Sequence, residues 1–345
     1  MPPSTPLAHD PHYEQQNGHS GHPVTGSPAR LRPWGALPER YADQQVISST
    51  IDVSGRILTL VADADVTYYG PKPAPYTATA VIIDGSDVTE VSIPDLDLIL
   101  PRIDALGEGF VLASGRCQMP RHFTENIPAQ DVSQNLRIID SDGSTRARFH
   151  VGDAVELLTT DRFGQIWVTY FDEASICLPE PSPPGASPQY FTERAVALIR
   201  WPATGEDPWF PLRGIDGFRP PWDCIATNVG QHSVWTIPHP NYEFVEIRTN
   251  GERRVRASPV GRGSALGIAG DQATFVEGLG YEAADAGTYV VTRCRIEDDA
   301  LEIMSKHPLV LPDGTRPTAW ARKRVCRDER IWLQFGEERI WYVLD

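Results

Sequence analysis

The sequence predicts an all-β protein built as a six-bladed β-propeller, and three observations lead to that prediction. Glycine and proline number 28 and 31 of the 345 residues, which gives turns for many short strands and too many breaks for a helical protein. A turn followed by a short strand of β-branched and aromatic residues recurs about every 55 residues, as in repeat architectures. The best of these strands, residues 166–171, is apolar on both faces. This pattern is typical of a blade, which its neighbours cover on both sides.

Six copies of the motif give the order of the blades. In each copy an apolar strand precedes the turn, so the motif strand is the second strand of its blade. We expect the tryptophans among the anchor residues to lie in the core between blades. The six anchors are Leu58, Val111, Trp167, Trp235, Phe275 and Trp332.

A third and a fourth strand follow the second one, after a variable loop, in each of the first five copies. In the second copy they are residues 136–139 and 145–149, and in the fourth copy residues 244–247 and 254–257. The turns between them contain Asp-Gly or Asn-Gly, which favours hairpins. Four antiparallel strands per unit make a propeller blade.

The ends of the chain are predicted to close the ring. The sixth copy supplies only three strands, within residues 319–344, and we expect the fourth from residues 36–41. Such pairing of N- and C-terminal strands removes exposed sheet edges. A single propeller domain is therefore predicted over residues 36–345. Residues 1–35, rich in Pro, Ser, Gly, His and Gln, are predicted to be a disordered leader.

Charge and cysteine content exclude several classes of protein. The formal charge is −15 with no basic run, which argues against nucleic acid as a partner. No apolar stretch is long enough for a membrane helix. Five scattered cysteines without a CxxC pair, and no secretory signal, indicate reduced thiols rather than a disulfide frame or zinc site. We expect a cytoplasmic monomer.

Residues 161–173 read Asp-Arg-Phe-Gly-Gln-Ile-Trp-Val-Thr-Tyr-Phe-Asp-Glu. This segment resembles the D-x-x-G-x-I-W-V-x-Y-F-D-E signature of uncharacterised β-propeller-like proteins from actinobacteria, and the scarcity of lysine fits that source. The resemblance implies a repeat fold of the WD40-like kind and no particular reaction. Six-bladed enzymes of the gluconolactonase-like and strictosidine-synthase-like families hold a metal with Glu, Asn and Asp residues around the channel. That set has no position-by-position counterpart in this sequence.

A functional site is predicted on one face of the ring. In a propeller the loops between second and third strands emerge on the same face as the links between blades. Here these segments are long and variable, whereas the turns on the opposite face have about two to four residues. We call the first the long-loop face and the second the hairpin face. Recognition usually resides on long loops carried by a rigid scaffold.

Polar residues at second-strand ends and in blade links of the long-loop face are the predicted binding residues. Arginine, histidine and carboxylates around a concave mouth suit an anionic or polar ligand, although they could equally form a solvated rim. The set is Asp63, Arg116, His150, Asp153, Asp172, Glu173, Arg219, His239, Glu277 and Arg316.

The same residues give little sign of catalysis. Asp172 and Glu173 are adjacent on an extended strand and point to opposite faces, so they do not converge as an acid and a base. His150 and Asp153 could hydrogen-bond as base and orienter, but no nucleophile elbow accompanies them. A histidine that stabilises a blade link is the simpler interpretation. His239 lies in a stiff loop between two prolines.

Three functions remain open from the sequence. A non-enzymatic scaffold that binds a protein or peptide partner through the long-loop face is favoured, because metal and nucleophile motifs are missing. The alternatives are a channel-site enzyme, such as a metal-assisted hydrolase or lyase, and a small-molecule sensor. The sequence assigns no metal ligands and leaves any cofactor unknown. A chelator-sensitive stabilisation by a divalent cation would favour the enzyme.

Overall fold

The structure is a computed structural model that describes residues 24, 26–66, 73–116, 134–171, 196–260, 263–278, 289–336 and 339–345. The chain is all-β and forms the six-bladed propeller that the sequence predicts. Strands are numbered in chain order. The chain starts with β1 (Ala29–Arg30) and β2 (Arg32–Ala36), followed by a 3-10 turn at Glu39–Tyr41.

The first two blades are four-stranded antiparallel sheets whose strands pair in chain order. The first blade consists of β3 (Gln45–Ile51), β4 (Ile57–Ala62), β5 (Tyr76–Asp84) and β6 (Asp87–Leu96). The second consists of β7 (Ile99–Leu106), β8 (Gly109–Arg116), β9 (Leu136–Ile139) and β10 (Thr145–Phe149).

The third blade differs from the prediction, because the described chain gives it three strands. They are β11 (Val155–Thr160), β12 (Ile166–Tyr170) and β13 (Leu198–Trp201). The irregular segment 202–222 follows β13, and its one ladder contact is the pair Arg200 and Trp209, whose N–H groups donate to each other's carbonyls at 2.9 Å. Pro202, Pro208 and Pro211 prevent a regular fourth strand there, since proline donates no ladder hydrogen bond.

The fourth and fifth blades are again built from four consecutive strands. The fourth consists of β14 (Asp223–Val229), β15 (Ser233–His239), β16 (Phe244–Arg248) and β17 (Arg253–Arg256). The fifth consists of β18 (Gly263–Ala269), β19 (Gln272–Glu277), β20 (Val290–Ile296) and β21 (Leu301–Val310).

The sixth blade confirms closure by the two chain ends. It consists of β22 (Ala321–Arg327), β23 (Arg330–Phe335) and β24 (Ile340–Leu344), with β2 paired antiparallel to β24 as its outermost strand. The closing strand lies earlier than the predicted residues 36–41, since Pro38 and the 3-10 turn interrupt that stretch. The short β1 pairs in parallel with β21 of the fifth blade. The described propeller thus begins near Ala29 rather than at residue 36, and residues 1–23 lie outside the described chain.

The hydrophobic core lies between the blades, as the two-sided apolar strands predict. One cluster, for example, joins Val111 and Leu136 of the second blade to Val155, Val168 and Trp201 of the third. Trp167 and Trp332 are buried in such interblade clusters, and Trp235 is partly buried against another. No helical segment in the described part of the chain has the length and apolar character to cross a bilayer.

Candidate functional site

The first strands of the blades pack around a central channel that holds a cavity of about 890 Å³. A volume of this size is typical of small-molecule sites. Residues of five first strands line it, namely β3, β7, β11, β14 and β22.

The cavity-lining strands share a local irregularity. β3, β11, β14 and β22 each carry a β-bulge close to their start, at Ile47, Glu156, Ile225 and Arg322. At the matching position β7 has Leu100, with a positive φ of 50°. All five residues line the cavity. Bulges change the direction of side chains and are common beside functional sites. The regular strand pairing of the blades is therefore interrupted at the same position around the cavity.

The turn between β22 and β23 closes the channel at the hairpin face. Arg327 donates to the carbonyls of Ile51 at 3.0 Å and Thr160 at 2.8 Å, and to the Asp104 carboxylate at 2.6 Å. Its guanidinium therefore reaches from the sixth blade to the first three. Arg327 and Asp104 are both buried, and Asp104 also accepts the backbone N–H groups of Ala105 and Thr160.

The next residue of the turn reaches the two remaining blades. The Asp328 carbonyl accepts the side-chain amide of Asn228 at 2.8 Å and the backbone N–H of Ile268 at 2.6 Å. Arg327 and Asp328 together bond to all five other blades. The channel is therefore a blind pocket that opens toward the long-loop face.

The pocket concentrates positive charge in an acidic protein. Within the described chain, five basic residues and a single carboxylate, that of Glu156, line the cavity. The Arg324 guanidinium lies 3.7 Å from that carboxylate, and Arg339 is held by the carbonyls of Ala42 and Gln44 at 2.8 and 2.9 Å. The basic residues are Arg102, Arg322, Lys323, Arg324 and Arg339.

Arg102 makes a single hydrogen bond in the described cavity wall. Its Nε donates to the backbone carbonyl of Glu156 at 3.1 Å. Within the described residues its guanidinium makes no other hydrogen bond or salt bridge. Burial lowers the pKa of Arg102, opposed by the nearby Glu156 carboxylate. The group stays cationic at neutral pH, because an arginine pKa begins above about 12. Its Nη donors are left for the cavity.

Two thiols in the cavity wall are protonated at neutral pH. Burial raises the pKa of Cys224 to about 12 and that of Cys326 to about 11. The Cys326 sulfur also accepts the Leu266 backbone N–H at 3.3 Å. Since the thiolate is the nucleophilic form, neither cysteine is poised for attack.

Aromatic side chains stand at the open end. Trp320 directly precedes β22 and lines the cavity. Trp222 occupies the same position before β14 and is 37% exposed. The His239 ring meets Trp222 edge-on at 5.8 Å and Tyr242 at 5.2 Å between centroids. The rim thus offers flat apolar surface beside the cationic channel.

The sequence-predicted binding residues that the structure describes lie outside the cavity wall. None of those in the described chain lines the pocket, and Asp172 and Glu173 fall outside the described residues. Asp63, Arg219 and Arg316 are exposed. The Arg219 backbone is held by the Asn241 side chain through bonds of 3.0 and 2.9 Å.

The remaining predicted residues have neighbours that fix loops. Arg116 pairs with the buried Asp153 at 3.3 Å and lies over the Phe171 ring at 4.6 Å. Asp153, the predicted partner of His150, therefore joins the end of β8 to the next blade link, while His150 is half-buried in that link. Glu277 accepts a short hydrogen bond from the Thr292 hydroxyl. These contacts describe a stabilised rim.

The cavity residues could have been found by one sequence signal. Arg102 and Glu156 are charged residues inside first strands with few other charges, and β22 carries three consecutive basic residues at positions 322–324. A charged residue at such a position is costly unless it faces a channel or a partner. In the described part of the chain, no group of three or more His, Cys, Asp or Glu side chains is placed to hold a metal ion.

No protein-family model matches the chain, and neither does any curated protein. Solved structures with a similar fold include a candidate gluconolactonase, with a TM-score of 0.41, 11% identity and 93% of both chains covered. A protein of unknown function from Bacteroides caccae has a TM-score of 0.35 and 10% identity, over 77% of this chain and 82% of that one. A quinoprotein alcohol dehydrogenase-like protein from Bacteroides thetaiotaomicron has a TM-score of 0.29 and 9% identity, over 79% and 68%. Likeness at this level supports no conclusion about this chain.

Proposed function

We propose that this protein is a non-catalytic binding propeller that takes an oxyanion-bearing ligand into its channel from the long-loop face. The observation that carries the proposal is Arg102, a partly buried cation whose Nη donors have no partner among the described residues. These donors remain accessible from the cavity. A bound carboxylate or phosphate could therefore accept charge-assisted hydrogen bonds from them.

The distribution of charge supports an anion over a cation. The chain carries −15 overall, yet its channel collects five basic residues around one carboxylate among the described lining residues. A cleft lined by one sign of charge focuses its field and raises the local concentration of the opposite ion. Arginine is also the residue best suited to carboxylates and phosphates, because its planar fork makes two parallel hydrogen bonds.

The shape of the pocket favours a ligand that enters end-on. The channel is blind at Arg327, and its volume of about 890 Å³ fits a small molecule or the acidic end of a peptide. The acidic end of a peptide would correspond to the protein or peptide partner that the sequence predicts. Trp320 at the rim would cover the apolar part of either ligand.

The chemistry of the wall favours binding over catalysis. General acid and base catalysis needs two titratable groups that converge on one bond. The described wall offers Glu156 as its carboxylate and two thiols whose pKa values lie well above neutrality. The arginines suit recognition of charge.

Calorimetric titration with citrate, and in parallel with a short poly-glutamate peptide, tests this function at constant ionic strength. Arg102→Gln should weaken binding about tenfold or more, the loss expected for a charge-assisted hydrogen bond. Arg102→Lys keeps the charge but loses the two parallel donors of the guanidinium. Its affinity should lie between those of the wild-type chain and Arg102→Gln. Arg146→Gln is the matched control, because Arg146 makes an exposed pair with Asp140 at 3.2 Å, away from the channel.

Each outcome has a defined meaning. Loss of affinity in Arg102→Gln with an unchanged Arg146→Gln supports the channel site, and the tighter of the two probes identifies the kind of ligand. Equal affinities for the wild-type chain and Arg102→Gln would overturn the proposal. Melting curves of each variant without ligand separate an altered fold from an altered site.

A further inference from the structure

A second cavity, of about 470 Å³, opens at the hairpin face between the third and fourth blades. Its walls come from the β11–β12 turn with β12 and β13 on one side, and from the turns of the fourth blade on the other. It is separate from the channel, and no residue lines both cavities.

Arg200 in this cavity is held by aromatic rings instead of a carboxylate. Its guanidinium carbon lies 4.4 Å from the ring centroid of Trp209 and 5.9 Å from that of Trp167, its cross-strand neighbour. Within the described chain the Arg200 side chain has no hydrogen bond and no salt bridge. Stacking on aromatic faces leaves the in-plane N–H donors of a guanidinium free.

The acidic residue beside Arg200 is already engaged. Asp161 accepts the backbone N–H groups of Phe163 and Gln165 at 2.9 and 3.0 Å through Oδ1, and the Trp167 indole N–H at 2.9 Å through Oδ2. Arg248, in the same cavity, pairs with Glu246 at 2.9 Å and Glu252 at 3.0 Å. Arg248 therefore makes two ion pairs, whereas Arg200 makes none within the described chain.

The rest of the wall is largely apolar. Phe163 is 56% exposed at the edge of the cavity, and Trp167, Val234 and Ile247 form its buried side. Burial lowers the pKa of Arg200, opposed by the Asp161 charge. A partly desolvated cation beside exposed aromatic surface is suited to an amphipathic anion.

We propose that this cavity binds a carboxylate joined to an apolar group. The carboxylate would accept two parallel hydrogen bonds from the Arg200 fork, and the apolar group would cover Phe163 and reduce its exposure to water. A free aromatic acid and the C-terminal residue of a peptide share this chemistry. The site does not depend on the channel.

Ligand-observed NMR titration of the full chain tests the site with four probes. Phenylacetate and Gly-Gly-Phe carry the carboxylate, while phenylacetamide and the C-terminal amide of Gly-Gly-Phe are neutral counterparts. We expect the acids to bind at least tenfold more tightly than the amides. Because the channel is also proposed to take carboxylates, the comparison is made in a chain that carries Arg102→Gln. In that chain Arg200→Met keeps the apolar stem over the tryptophans, removes the charge, and should abolish the difference between acids and amides.

Two control variants make the result specific. Arg146→Met is the same substitution on an exposed arginine of the second blade and should bind like the wild-type chain. Arg102→Gln alone removes the proposed channel site and should still bind the acids more tightly than the amides through Arg200, so this inference and the proposed function can fail separately. The tighter of the two acids identifies the source of the carboxylate. Equal binding of acids and amides to the Arg102→Gln chain, or an unchanged preference for the acids when Arg200→Met is added to it, would overturn the inference.

Discussion

The role of each arginine in this protein depends on what its guanidinium touches. Arg327 is fully engaged by one carboxylate and two carbonyls at the closed end of the channel. Arg102 keeps one backbone contact in the cavity wall, and Arg200 rests on two indole rings. The first arrangement holds blades together, whereas the other two leave donors for a ligand.

Removing the Arg327 charge should destabilise the propeller strongly. Arg327→Met leaves the buried Asp104 carboxylate without its cation, and breaking a buried pair costs about 3 to 5 kcal/mol. Urea unfolding followed by tryptophan fluorescence measures this loss. Arg32→Met is the control, because Arg32 and Asp345 form a largely exposed pair at 2.7 Å and such pairs contribute about 0 to 1 kcal/mol. Similar unfolding free energies for the two variants would contradict this role of Arg327.

Cys224 should make the stability of the protein depend on alkaline pH. Its folded-state pKa is raised to about 12 by burial, against about 8.5 in an unfolded chain. A raised pKa stabilises the fold fully below the unfolded value, and that stability is lost as the pH rises toward the folded value. Between pH 9 and 10 the wild-type chain should lose about 1.2 kcal/mol more unfolding free energy than Cys224→Ala. The unfolding free energy of both chains is measured against pH with a reductant present. An equal fall in the two chains would show that the Cys224 thiol has the same pKa in the folded and unfolded states.

The two N-terminal strands, β1 and β2, pair with different blades. β1 runs along the outer edge of the fifth blade and β2 along that of the sixth. The Trp34 ring of β2 meets Trp332 edge-on at 5.7 Å, and its indole N–H donates to the Gly55 carbonyl of the first blade at 2.9 Å. One short N-terminal segment therefore joins three consecutive blades at the point where the ring closes.

Removal of this segment should destabilise the ring and promote association. A chain that begins at Leu37 lacks β1 and β2, so the edges of β21 and β24 become available to other chains. Compared with a chain that begins at Val24, it should melt several degrees lower and form aggregates at micromolar concentration. Scanning calorimetry and light scattering of the two chains make the comparison. Equal melting temperatures and monodisperse scattering would contradict a closing role for β2.

Elements were predictable from the sequence where local chemistry decides them. The Asp161–Gly164 turn and the two-sided apolar strand after it are local signals. As they predict, β11 lies before the turn and β12 after it. The recurring pattern predicts four strands in the third blade, but the described chain has three. The prolines after Trp201 are the local signal against a fourth strand. The position of β2 was missed by a few residues, because the closing register depends on β24, at the far end of the sequence.

The residues that line the cavity are harder to predict than the fold, for a physical reason. Loop lengths predict a site on the long-loop face, and the channel does open there. The predicted strand-end and link residues in the described chain lie outside the cavity wall, where Arg116 pairs with Asp153 and His239 contacts two aromatic rings. The cavity takes its charges from positions inside first strands, at and next to bulges such as that at Glu156. A bulge is an extra residue in one strand of a pair, so its position depends on the register with the partner strand.

At the scale of the whole molecule, the net charge of the chain and the charge of the channel wall have opposite signs. Acidic side chains dominate the composition, and they give the chain a charge of −15. The arginines of the first strands gather at a blind channel, where water is restricted and each charge acts over a longer range than on the open surface. An acidic protein can therefore present a local site for an anion.

The most direct test of this claim is the location of an anion in a crystal of the protein. Selenate is a tetrahedral dianion, and the anomalous scattering of its selenium locates it without bias from the protein coordinates. In a crystal soaked with sodium selenate, the strongest anomalous peak should lie in the channel, with an oxygen within about 3 Å of an Arg102 Nη atom. A channel without a peak, in a crystal that binds selenate elsewhere on its surface, would contradict the anion site.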